Sequence, residues 1–158
     1  MNYFAFWGRL QCAALAALTG GALAQTISLW GGQFSRHLPP TTLMSLGGAI
    51  GAGLAILLLA DGFGHRGLRG AFLAAFSWIV ATALGAWFGA SAVLIETSAG
   101  AIYAIPSALE EGAGLGLFAV VGGILQSPTA FAVWVVGGCA MHYGARAERG
   151  AGSADTLT

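Results

Sequence analysis

The sequence predicts an all-α integral membrane protein, a bundle of about four transmembrane helices whose last member is long and kinked near Pro128. Three observations predict it. The first is composition: of 158 residues, 57% are hydrophobic and 8% are charged, whereas a soluble domain carries roughly 25% charged residues. So few charges cannot cover a core with polar surface, and the apolar excess must face lipid or other proteins. The second is that four long stretches, 10–35, 37–60, 70–95 and 112–145, hold no Asp, Glu or Arg, and about 20 apolar residues suffice to cross the hydrocarbon core as a helix. The third is where the arginines fall. With the N terminus inside, Arg9, Arg66, Arg69, Arg146 and Arg149 lie on the cytoplasmic side and only Arg36 outside, which is the positive-inside distribution.

The first span is drawn at 10–30 and ends at Gly31-Gly32. Its Ala22-Leu23-Ala24 followed by Gln25 has the form of a signal-peptidase site, but the Phe4-Ala-Phe-Trp7 run before Arg9 is unlike a leader, and the segment is read as a retained helix. The second span, 43–60, is entered after the Pro39-Pro40 break and the Thr41-Thr42 pair, with Gly and Pro as punctuation. A short charged connector, 61–70, leads to the third span at 71–95. Tyr3, Trp7 and Tyr143 fall at the expected inner interface, with Trp30 and Tyr103 at the outer one.

The fourth span is drawn at 115–143. Ser107-Ala-Leu-Glu110 has the form of a capping box, which predicts a helix start there. A single helix over 107–143 would be about 55 Å long, nearly twice the hydrocarbon thickness. Pro128, within Gln126-Ser127-Pro128-Thr129, is the expected break, since a mid-helix proline removes a hydrogen bond and clashes with the preceding turn. A kinked single span keeps Arg146 and Arg149 inside, whereas a hairpin there would put them outside; a broken or re-entrant pair is the alternative. Residues 1–146 thus form one transmembrane domain, and 147–158, with no apolar periodicity, are expected to be a disordered cytoplasmic tail.

Small residues recur four apart: Gly47, Gly51 and Ala55 on the second span, Ser77, Ala81, Gly85 and Gly89 on the third, Ala13, Ala17 and Gly21 on the first. Such faces let helix backbones approach closely where lipid gives no hydrophobic drive to associate. They predict packing within the bundle, or against a partner or second copy. Gln126, Ser127, Pro128 and Thr129 are the most polar group at membrane depth, either re-satisfying the backbone freed by the kink or lining a solute path. Glu96, Glu110 and Glu111 belong to the outer side, where three carboxylates without a cation could attract a metal ion or a cationic solute, or where Glu110 caps a helix and the other two sit solvated. Gln11, Gln25, Ser45, Ser77, Thr82 and Ser91 read as interhelical hydrogen bonders.

Cys139 and His142 stand one helical turn apart, and Cys12 is expected at a similar depth. A thiolate and an imidazole so placed are weak candidates for a soft-metal site, and buried free Cys is ordinarily a small apolar residue. The formal net charge of zero leaves no basic stripe for nucleic acid. No carboxylate or arginine falls near the middle of a span, so no proton relay or voltage sensor is expected, and no G-x-S-x-G, H-E-x-x-H or P-loop pattern supports an enzyme or a cofactor. The expectation is a non-enzymatic, multi-pass protein of a bacterial inner membrane, both termini cytoplasmic, acting by helix packing as an accessory or assembly subunit or as a homo-oligomer. A channel or facilitator for a neutral small solute and a soft-metal or thiol protein are the alternatives.

Overall fold

The computed structural model describes residues 3–30, 42–98 and 102–154. Within them the chain is helical, with no strand: α1 (Tyr3–Trp30), α2 (Thr42–Leu59), α3 (Gly67–Thr97), α4 (Ile105–Gln126) and α5 (Pro128–Ala154), plus 3-10 turns at Ala60–Gly62 and Ile102–Ala104. Four helical segments, Gly8–Leu29, Thr42–Gly62, Gly67–Thr97 and Ile102–Gln126, are long and apolar enough to cross a membrane. Arg36, the Pro39-Pro40 break and the last four residues of the expected tail lie outside the described residues.

Glycine sets the helix order. On α1 and α2, Gly20 meets Gly48 and Ala52 while Gly53 meets Ala13 and Ala17, so the pair is antiparallel. On α2 and α3, Gly47 lies against Phe88 and Gly89, and Gly51 one turn later lies against Leu84 and Gly85. A methyl group at Gly47 would stand 2.6 Å from the Phe88 carbonyl oxygen, and one at Gly51 would stand 2.6 Å from that of Leu84. Backbone touches backbone there. α4 runs back along α3, with Gly112 at Ser91 and Gly116 at Ala86; α5 runs back along α1, with Gly137 at Thr19 and Glu148 at Gly8.

These contacts decide what happens at Pro128. α4 lies mainly on α3 and α5 mainly on α1, and the two do not pack along one another, so no hairpin forms at the break. The expected single kinked helix is nonetheless corrected: it is two helices, separated at Ser127 by extended backbone (φ −115°, ψ 108°). The residue before a proline is pushed out of the α region, and Ser127 serves both ends. Its N–H donates to Gly123 O (2.9 Å), its carbonyl accepts from Phe131 N (2.9 Å), and its hydroxyl caps α5 by accepting from Ala130 N (3.2 Å). The 115–143 span therefore straddles a junction between helices.

Two further expectations are corrected. α4 begins at Ile105, before Ser107, with proline in its first turn, and Ser107 donates its hydroxyl back to Ala104 O (3.0 Å) instead of forming a capping box with Glu110. Proline suits the first turn, where its missing N–H costs nothing. The tail expected to be disordered from 147 is helical through Ala154. Arg149 anchors it by donating to Asp61 O (3.2 Å).

The largest buried cluster joins Cys12 and Ala16 of α1, Ala52 and Ile56 of α2, Phe63 of the connector, Trp78 and Ala81 of α3, and Met141 of α5. Outward, Leu58, Leu68, Phe72, Phe76, Phe118 and Leu125 are each more than half exposed.

Candidate functional site

The arginine-rich end of the bundle is the most densely built polar region. The connector 60–66 folds over it, with Gly64 at φ 80° and Gly67 at φ 79°, left-handed backbone that a β-carbon would strain. Gly64 packs on the backbone of Ala145 and Arg146, and its N–H points to His142 Nδ1 at 3.4 Å. The Asp61 carboxylate pairs with Arg9, while the Asp61 carbonyl takes Arg149 and lies 2.8 Å from His65 Nε2. One residue thereby ties α1, the connector and α5 together. The ion pair is substantially exposed, so it contributes at most about 1 kcal/mol. Arg66, Arg69 and Arg146 are exposed and have no hydrogen-bond or ion-pair partner among the described residues.

The thiols do not converge. Cys12 is 5% exposed in the core, whereas Cys139 is exposed on the outer side of α5. His142 sits by the connector. Among the described residues no three His, Cys, Asp or Glu side chains gather as metal ligands, and Glu96, Glu110 and Glu111 are all exposed.

At the break, Ser127 is 3% exposed and fully engaged as a double cap, whereas Gln126, Pro128 and Thr129 face outward. None of these four lines the interior cleft. That cleft, about 40 Å³ in volume and partly open to the exterior, is walled by Leu23, Ile27, Met44, Ala119 and Val120 together with glycines and alanines of α1 to α4. Only Trp78 and Thr82 bring a side-chain N–H or O–H to it, and both are committed. Trp78 Nε1 donates to Trp134 O (2.9 Å), Trp134 Nε1 donates to Thr82 Oγ1 (2.9 Å), and Thr82 donates to Trp78 O (2.8 Å). The two indoles stack with centroids 6.4 Å apart. This closed ring of bonds locks α3 to α5. Thr82 was expected as an interhelical bonder, but the tryptophans that complete the ring carry no local sequence signal.

Among the other polar residues, Ser45 donates to Gln25 Oε1 (3.0 Å), joining α2 to α1, and Trp87 Nε1 donates to Leu109 O (2.6 Å), joining α3 to α4. Ser91 differs: its hydroxyl is buried without a partner, pressed against Gly112. The small residues Gly47, Gly51, Ala81, Gly85 and Gly89 all lie inside the bundle, with Gly47 half-buried at its edge. Another face remains uncovered, that of Ala132, Val136, Ala140 and Gly144 on α5, small at each position but Val136, which is 66% exposed, and nothing lies within 4 Å of a methyl placed at Gly144. Spacing of four puts these on one side of the helix. No protein-family model matches this chain, and no match is found among curated proteins or solved structures.

Proposed function

We propose that this chain is a small multi-pass membrane protein that acts through helix packing and not through catalysis, as an assembly subunit of a larger complex or as an oligomer of itself. The observation that carries the reading is the outward face of α5. On that face Ala132, Ala140 and Gly144 stand open around Val136, while α5 packs mainly along α1. Small residues at four-residue spacing allow a second helix to approach closely in lipid. The arginine distribution supports placing the end that holds Arg9, Arg66, Arg69, Arg146 and Arg149 in the cytoplasm of a bacterial inner membrane, with both termini on that side. The solute-facilitator alternative loses its constriction, because Gln126, Pro128 and Thr129 face outward and the cleft is apolar.

Cys139 lies one turn from Val136 on the same side of α5, which provides a native reporter. Oxidative crosslinking in membranes should trap a disulfide-linked dimer, or an adduct with a partner chain, that Cys139→Ser abolishes and Cys12→Ser does not. A chain that stays monomeric by crosslinking and by light scattering in mild detergent, with no co-purifying protein, would overturn the proposal.

A further inference from the structure

We propose that the arginine-rich end of the bundle is a binding site for an anionic phospholipid, its phosphate held by Arg66, Arg69 and Arg146. The first observation is charge without a partner. Five arginines meet only two carboxylates at this end among the described residues, Asp61 and Glu148; the Asp61 carboxylate is taken by Arg9, and Arg149 donates to the Asp61 backbone carbonyl. Arg66, Arg69 and Arg146 are left exposed and unpaired. The packing of Gly64 on the Ala145–Arg146 backbone brings the connector bearing Arg66 beside Arg146, and Arg69 follows three residues later on the first turn of α3. That turn has no side-chain cap and no acidic residue, so its free amides add to the positive potential.

The second observation selects lipid over other anions. From this cluster an apolar stripe runs down α3: Leu68 is 76% exposed, Phe72 67% and Phe76 63%. A soluble phosphate or an acidic protein segment has no use for that stripe. A phospholipid presents both chemistries at the matching separation, a phosphate at the headgroup and acyl chains immediately below it. Guanidinium suits phosphate because its forked donors form paired hydrogen bonds, and juxtamembrane basic clusters draw anionic lipid with about fivefold in affinity per arginine. Three arginines correspond to a preference on the order of a hundredfold for anionic over zwitterionic lipid.

The test uses the full chain in mild detergent with added phosphatidylglycerol, phosphatidylcholine or inorganic phosphate, read by native mass spectrometry and by thermal unfolding. Phosphatidylglycerol should remain bound and raise the melting temperature where phosphatidylcholine does not. Replacing Arg66, Arg69 and Arg146 together by Gln should remove the preference, and replacing them by Lys should retain most of it. All three side chains are exposed and unpaired, so the variants should elute as the native protein does; single Arg66→Gln and Arg146→Gln variants carry the test if the triple variant does not. Equal retention of both lipids, a preference unchanged in the Gln variants, an equal shift from phosphate alone, or binding of an acidic peptide in place of lipid would each overturn the assignment. The outcome is separable from the helix-packing proposal, which is read at Cys139 on α5.

Discussion

Gly51→Ala tests whether α2 and α3 are held by backbone contact. The added methyl would stand 2.6 Å from the Leu84 carbonyl oxygen and 3.0 Å from the Gly85 α-carbon, both too close for a real contact. The oxygen belongs to helix backbone and cannot rotate away. To restore van der Waals separation the helices must part locally by about 0.8 Å, and a gap of that size forfeits about a quarter to a half of each contact's dispersion energy. Over several dozen atom pairs at about 0.1 to 0.2 kcal/mol each, the loss is about 2 kcal/mol, within the range of about 1 to 3 kcal/mol for overpacked cores. Gly47→Ala faces the same problem one turn away, so separating the helices for one residue already relieves the other. The double variant should cost less than the two singles added together. Gly114→Ala is the reference, since nothing lies within 4 Å of its methyl; it should gain about 0.5 to 1 kcal/mol from reduced backbone freedom. The assay is reversible denaturant unfolding in mixed micelles followed by circular dichroism. If Gly51→Ala is as stable as Gly114→Ala, or if the double variant is fully additive, backbone contact does not hold this pair together.

Three other outcomes follow from the polar groups. Ser127→Ala removes the cap on the Ala130 N–H at a buried position and should destabilise by about 1 kcal/mol, measured in the same unfolding assay. Ser91→Ala deletes a buried hydroxyl that has no partner and should be neutral or stabilising by up to about 1 kcal/mol, because it removes a desolvated donor and leaves no other group unmatched. Trp78→Phe and Trp134→Phe should each cost about 1 to 2 kcal/mol, with a coupling of at least about 0.5 kcal/mol in the double-mutant cycle, since each breaks the same closed ring.

Much of the fold was legible because charge is costly in hydrocarbon. Within the described residues three of the runs without Asp, Glu or Arg fall on single helices and the fourth on two, α4 and α5, while the charges that resume at Asp61 mark the connector, which is shorter than expected because α3 already begins at Gly67. The glycines at 47, 51, 85 and 89 were legible as packing faces because nothing but close approach needs small residues at that interval. Pro128 marked a break, but sequence could not distinguish a bend from a cut. That was settled by Ser127, whose burial lets one residue cap both helix ends. The start of α4 was misplaced because Pro106 prescribes a first turn more firmly than Ser107 and Glu110 prescribe a box. The helix beyond 147 was missed because its anchor, the Asp61 carbonyl, is 88 residues from Arg149. The Trp78 and Trp134 pair was invisible for the same reason, its members lying 56 residues apart. Local pattern records which face is small or charged; it does not record which distant element arrives there.

The pairing of α1 with α5 bears on biosynthesis. Helices α2, α3 and α4 each emerge next to the neighbour they pack against, whereas the groove of α1 that receives Gly137 and Met141 stays open until the final helix has left the ribosome. Chains are made from the N-terminal side, so closing the bundle is a late and long-range step. A nascent chain stopped after Gln126 would leave Thr19 and Ala16 uncovered and the indole of Trp78 without its acceptor.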